Sequence, residues 1–337
     1  MTSSLLSLPQ ELFDYIINYL PRKYASTLLA TSKSTYTKGT YAFNKSCFRI
    51  IPAELSCEGL RNTEKILDNT HARHIRTIYF KASKRRFSDD LMEINNRLVA
   101  ILTKALQVSP KFKTITYYQN PNLLGRRFTN ATILGILAGE VEKTSTWQNR
   151  SIKVRLENLN SHDLNFLDEY PKFLELVFCI KLRLNAEESR GRDLSLRIQS
   201  PLSLTLNLKE LFISVDDDRP LYQSTILHIM ASLDSTIELE SLTIKGFFAS
   251  SETVKQILQP FQTSLKKLIL ERAYFEDNSL VELIGYIRDH FSLDYVHFSD
   301  IGQEEHSKLI HEAQLYGGSI KAGLNILMSD VLSQLAY

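Results

Sequence analysis

The chain has 337 residues, room for one large or two ordinary domains, with the 43% hydrophobic and 23% charged content of a globular protein. A formal net charge of +2 gives no bias toward a polyanion such as nucleic acid, and no run of about 18 apolar residues is present to span a membrane. Cys47, Cys57 and Cys179 are odd in number and widely spaced, offering neither a disulfide framework nor a metal-ligand pair, and so favour a reducing compartment, the cytoplasm and/or the nucleus.

The first predicted element is Leu6–Leu20, LSLPQELFDYIINYL. Ser7, an exposed Leu8 and Pro9 mark a helix entry, and Glu11 in the first turn favours the helix N-terminus. Pro9, Glu11 and Asp14 also break the apolar run, which argues against a signal peptide. Leu12, Ile16, Tyr19 and Leu20 recur at helical spacing, with Phe13 and Ile17 on an adjoining face. Pro21 stops the helix by removing a donor and clashing with the preceding turn. A short helix that is apolar over more than one face needs more than its own chain to cover it. Leu28, Leu29 and Tyr36 then anchor a second short helix and its exit, and Tyr41, Phe43, Phe48 and Ile50 lead into an extended run.

This pattern, L-P-x-E-L, an apolar helix ending in Y-L-P, then L-x-x-T-S-K-x-x-Y, resembles the F-box over residues 5 to about 50. Thr31, Ser32, Lys33 and Tyr36 match the stretch typical of fungal members. The tryptophan near the end of many animal members has no counterpart, and Tyr41 and Phe43 are the nearest apolar residues. The resemblance implies docking on a Skp-type adaptor, and through it a cullin, with Leu8, Pro9, Leu12, Ile16, Ile17 and Leu20 facing the adaptor or supporting that face.

From residue 73 onward short apolar strands alternate with amphipathic helices. HIRTIYF from His74 and FKTITYY from Phe112 read as strands flanking a long helix from Leu91 to Leu106. A helix near 130–143, a strand IKVRLENL, a helix-like HDLNFLDEY stopped by Pro171 and a strand LELVFCIKLRL follow. Residues 185–205 read as a polar loop or irregular repeat, leaving two or three repeats within 112–206. Four segments then begin at Leu208, Leu239, Leu265 and Leu293, each with apolar residues at positions one, four and six. Helical sets follow the first three: Ile226, Ile229, Met230, Leu233; Val254, Ile257, Leu258, Phe261; and Leu280, Leu283, Ile284, Ile287. The fourth continues into SKLIHEAQL, where Leu309, Ile310 and Ala313 partly repeat the helical pattern. Residues 317–337 read as an end cap.

One strand plus one helix per repeat is a solenoid signature, and L-x-x-L-x-L resembles a degenerate leucine-rich repeat. The asparagine or cysteine that usually follows such a strand is missing; Val215, Gly246, Arg272 and Asp300 lie near that place. The expected fold is α/β: an all-α F-box over 1–50, then over 51–337 a leucine-rich-repeat-like solenoid with parallel strands concave and helices convex. Alternation puts Tyr79, Tyr118, Phe212, Thr243, Lys267, Tyr295 and His297 on the concave face, where aromatic side chains suit a protein ligand.

Phosphate loops, dinucleotide fingerprints, nucleophile elbows and the zinc H-E-x-x-H are missing from the sequence. His71 and His74 are spaced as many surface pairs are, His306 and His311 fall on different faces of a helix, the Asp216–Asp218 run reads as a solvated loop, and no cofactor or metal is expected. The basic cluster Arg73, Arg76, Lys81, Lys84, Arg85 and Arg86 reads as a surface loop rather than a nucleic-acid site. An F-box followed by leucine-rich repeats implies a non-enzymatic substrate receptor of an SCF-type cullin ubiquitin ligase, holding a protein substrate. The alternative is a repeat scaffold acting outside any ligase.

Overall fold

The computed structural model describes residues 5–82, 91–119, 127–143, 147, 150–184, 199–215, 220–275, 280–303 and 306–335. The chain is an α/β protein in two compact units, residues 1–120 with 149–152 and residues 121–148 with 153–337. Lys84, Arg85, Arg86, Asp216–Asp218 and most of the 185–205 segment lie outside the described residues.

The first unit opens with three helices, α1 (Gln10–Tyr19), α2 (Arg22–Ala30) and α3 (Lys33–Cys47). Pro9 and Pro21 hold the N-cap positions of α1 and α2, where the missing N–H costs no helical bond. Leu20, forced extended by the proline after it, ends α1. The Thr-Ser-Lys stretch is a helix start: Ser32 Oγ accepts from the Thr35 N–H and Thr35 Oγ1 accepts from the Ser32 N–H, both at 3.1 Å. Tyr41 and Phe43 do not lead into an extended run. They belong to α3, and the strand begins only at Ile50. The helix persists because Gly39 lets it press on its neighbours: a Cβ there would meet Leu29 Cδ2 at 2.5 Å and Phe13 Cε1 at 2.8 Å. Tyr36, expected as an anchor, is exposed on α3.

Three parallel strands follow in chain order, β1 (Ile50–Leu55), β2 (Thr77–Ala82) and β3 (Thr114–Tyr118), joined through α4 (Cys57–Leu67) and α5 (Leu91–Val108). The residue-50 boundary drawn from sequence is thus the α3–β1 junction, inside this unit. Strand–helix alternation begins there, earlier than residue 73. Its signals are the buried alternation Ile51, Ala53, Leu55 and the cap Ser56, whose Oγ accepts from the Gly59 N–H at 3.0 Å. Charges tie α4 to α5, Arg61 to Glu93 at 2.6 Å and Arg97 to Glu64 at 2.7 Å, while Arg97 also pairs with Glu93 one turn away within α5 at 2.8 Å.

In the second unit, α6 (Arg127–Glu142) precedes β4 (Lys153–Leu159), β5 (Val177–Leu184), β6 (Glu210–Val215), β7 (Leu221–Tyr222), β8 (Ser241–Ala249), β9 (Lys267–Phe275), β10 (Tyr295–Gln303) and β11 (His306–Tyr316). β4, β5, β6, β8, β9 and β10 are parallel neighbours in that order, and β7 pairs with β8. Among the described residues the interval 112–206 holds three strands, β3, β4 and β5. Helices Gln223–Ala231, Ser251–Leu258 and Leu280–His290 bury the apolar sets expected of them, from Ile226 to Ile287, except that Leu233 and Phe261 are buried just beyond the ends of the first two.

SKLIHEAQL is not a partial helix. It lies within β11, antiparallel to β10. A hairpin needs no crossover, so the helical periodicity was fortuitous. Ala313 opposite Phe298 and Leu315 opposite Val296 belong to strand pairing. The helix Ile320–Leu335 packs on Leu280–His290 and β11, burying Leu324 and Val331.

Near the C-terminal ends of these strands the backbone repeats one departure from ideal geometry. Gly246, Arg272 and Asp300 have φ of 74°, 50° and 52° and stand in lateral register across β8, β9 and β10. Asn158, φ 59°, occupies the same offset in β4. Each left-handed residue inserts one position, so burial changes parity: Leu242, Ile244, then Phe247; Leu268, Leu270, then Ala273; Val296, Phe298, then Ile301; Val154, Leu156, then Leu159. Arg272 Nη2 crosses Gly246 to donate to the Val215 carbonyl at 2.8 Å.

Hydrogen bonds from Arg61, Arg97 and Cys57 lower the Glu93 pKa from 4.5 to about 2. A depressed carboxylate stabilises the fold above its unfolded pKa and loses that contribution as pH falls through the folded one. Glu93→Gln should therefore lower the thermal midpoint at neutral pH, with the gap to the parent closing between pH 4.5 and about 2; a pH-independent gap in scanning calorimetry would contradict this. Gly246→Ala should cost about 1–2 kcal/mol in urea unfolding, the price of left-handed backbone in a residue with a Cβ.

Candidate interaction surfaces

The helical surface is built on a small closed core. Phe13 and Ile17 of α1 meet Leu29 of α2 and Ala42 of α3, with Leu5, Leu6, Leu28 and Phe43 packed around them. The entry to α1 is strapped to α3: Lys38 Nζ donates to the carbonyls of Leu6 and Leu8, and Gln10 Nε2 donates to the Lys38 carbonyl at 2.8 Å. This core uses one stripe of α1. A second stripe remains outside: Leu12 is 52% exposed, Tyr15 64% and Tyr19 79%, with Ile16 half-buried among them. They follow i, i+3, i+4, i+7 spacing, one face of a helix. Tyr15 and Tyr19 stack at 5.7 Å, and Tyr24 of α2 is also exposed.

Of the six adaptor-face residues expected from sequence, Pro9 and Leu12 are exposed, and Leu8, Ile16 and Leu20 are half-buried. Ile17 is only 2% exposed and supports this surface from within, facing the core. Tyr15 and Tyr24 are additions; the spacing of Tyr15, three after Leu12 and four before Tyr19, was its signal.

The sheet faces opposite the helices carry the second set of residues. In the first unit, Tyr79 and Tyr118 stack at 5.8 Å, and Lys81 Nζ lies 5.8 Å from the Tyr118 ring centroid. In the second unit, register places Lys181, Phe212, Thr243, Ile269, His297 and Gln314 along one rung. Thr243, only 7% exposed, contributes little surface because its short side chain sits between the longer Phe212 and Ile269. Lys267, Tyr295 and His297 do come together: Lys267 Nζ is 5.2 Å from the Tyr295 centroid, and the Tyr295 and His297 rings are 6.3 Å apart.

β11 supplies Tyr316, 4.9 Å from Tyr295, and Glu312, which with Glu271 brackets His297 at 3.8 and 3.7 Å. Burial and the neighbouring Tyr316 push the Tyr295 hydroxyl above its usual range. Sequence reasoning missed these β11 residues because it read the segment as helical. Across the face charges alternate in sign: Arg155 with Glu210 at 2.9 Å, Lys181 with Glu157 at 2.8 Å and Lys245 with Glu271 at 2.8 Å.

Among the described residues no three His, Cys, Asp or Glu side chains are grouped to hold a metal ion, and no helix is long and apolar enough to cross a membrane. Burial pushes the Cys179 thiol up to about 12, so it is protonated at neutral pH and not a nucleophile. No protein-family model and no curated protein matches the chain.

The division of α1 into a packed and an unpacked stripe has a stability signature. Phe13→Ala should cost about 3–5 kcal/mol and Leu12→Ala no more than about 0.5 kcal/mol in urea unfolding. Equal losses would contradict the assignment of stripes.

Proposed function

We propose that this protein is the substrate-recognition subunit of an SCF-type cullin ubiquitin ligase. In this reading α1–α3 act as an F-box on a Skp-type adaptor, and the strand–helix units act as degenerate leucine-rich repeats that hold a protein substrate. The observation that carries the proposal is the second stripe of α1: Leu12, Tyr15 and Tyr19 left exposed on a helix whose other stripe already fills its own core. An exposed apolar and aromatic stripe on a rigid helix is the form of a helix-docking surface. The sequence match at Leu8, Pro9, Leu12 and the Thr-Ser-Lys cap supports naming its occupant as the adaptor.

Such a subunit performs no bond chemistry itself. It raises the effective concentration of substrate lysines beside a charged ubiquitin carrier, to the millimolar range for a well-matched tether. The rung from Lys181 to Gln314, with Tyr295, Tyr316 and His297 at one end, offers aromatic contact area and both signs of charge, the composition of a protein-binding surface.

Affinity isolation of the protein from cells should recover adaptor and cullin together. Leu12→Asp with Tyr19→Asp should remove both, a loss of at least about a hundredfold for a buried apolar anchor turned into a charge. Adaptor without cullin would support a scaffold outside any ligase. Retention of both by the double variant would contradict docking through α1.

A further inference from the structure

The residues that immediately precede each parallel strand are held side by side by lateral backbone hydrogen bonds. In the second unit, the Lys209 N–H donates to Phe178 O at 2.8 Å, Glu240 to Lys209 at 2.8 Å, Lys266 to Glu240 at 2.9 Å and Asp294 to Lys266 at 2.7 Å. The row therefore alternates lysine, glutamate, lysine, aspartate. Lys209 is paired with both Glu238 and Glu240, at 3.0 and 3.4 Å. This row is neutral and internally compensated.

The corresponding row of the first unit is not. The N–H groups of Arg76 and Thr77 donate to the Arg49 carbonyl at 2.9 and 3.0 Å, and those of Lys113 and Thr114 donate to the Arg76 carbonyl at 2.9 and 3.0 Å. Arg49, Arg76 and Lys113 thus stand abreast at the starts of β1, β2 and β3, and all three are exposed. Neighbouring strands are about 4.8 Å apart, so the row spans about 10 Å. Among the described residues no carboxylate is paired with any of them. Lys45, Arg73 and Lys111, also exposed, extend the patch. The cations Arg73, Lys111 and Lys45 act on the neighbouring buried His74. Together with burial, which is the larger effect, they hold its imidazole below the ordinary value. Like charges side by side on a sheet are mutually destabilising, so the folded protein holds a concentrated positive field that a bound anion would relieve.

We propose that the row Arg49–Arg76–Lys113 binds an extended acidic segment of a partner protein, a site separate from the α1 stripe and from the sheet face. Arginine forks match carboxylates in bidentate pairs. A span of about 10 Å accommodates about three residues of extended peptide. A nucleic-acid groove instead tracks the backbone over about 4–16 nucleotides, and the net charge of +2 supplies no wider field for a polyanion. The proposal does not depend on the ligase reading.

The test is fluorescence anisotropy with the full chain and a fluorescein-labelled (Asp-Glu)5 decapeptide. Arg49→Glu with Arg76→Glu should weaken binding at least about tenfold, the loss of one strong charge-assisted pair or more. Lys266→Glu, in the compensated row, should leave binding unchanged. The thermal midpoint of Arg76→Glu should match or exceed that of the parent, because a like-charge contact is removed; a purely structural arginine would lower it. Equal peptide binding by the parent and the double variant would overturn the proposal. So would displacement of the peptide by a twelve-residue single-stranded oligonucleotide at a lower concentration than unlabelled peptide, which would reassign the row to nucleic acid.

Discussion

A parallel strand and its helix cannot bury their own apolar faces, and lateral contact with the next such pair is the constraint on which the rest of this structure depends. Leu211, Leu242, Leu268 and Val296 are adjacent in register and almost fully buried, as are Ile213, Ile244, Leu270 and Phe298. Once these rows are fixed, everything else on the strands is fixed with them. The alternate residues form rungs on the opposite face, the residues before the strands form a second row, and the left-handed Gly246, Arg272 and Asp300 form a third. Surface chemistry in this protein is therefore arranged in lines across strands rather than in sequence-local clusters.

The helical start of the chain obeys a different economy. α1 has two apolar stripes and its chain-mates cover one. Gly39 brings α3 close enough for Phe13 and Ile17 to be fully covered, and Lys38 and Gln10 fasten the entry to α1. The outer stripe then sits on a rigid base, so a partner would pay little ordering entropy to use it.

Much of this was legible in the sequence because buried positions dictate residue type. Apolar residues at positions one, four and six of each segment located β6, β8, β9 and β10, and helical spacing located Ile226 to Ile287. What was not legible depends on partners far along the chain. β11 carries a fortuitous helical spacing, and only its pairing with β10 makes it a strand. Thr243 alternates to the correct face yet is shut in by Phe212 and Ile269, a fact about neighbours' sizes. Tyr41 and Phe43 look like the start of an extended run until the Ser32–Thr35 box and Gly39 extend α3 through them. Nor does residue type reveal the backbone at positions 246, 272 and 300, where glycine, arginine and aspartate all adopt left-handed geometry. The basic row joins residues 49, 76 and 113, which no motif scan sets together.

The central claim, that the outer stripe of α1 is a docking face for a Skp-type adaptor, is tested most directly by calorimetric titration of the purified chain with purified adaptor at several temperatures. The account predicts one-to-one binding with a negative heat-capacity change, the mark of apolar burial, and its loss in Leu12→Asp with thermal stability retained. Absence of binding heat and of a heat-capacity change, or undiminished binding by Leu12→Asp, would contradict it.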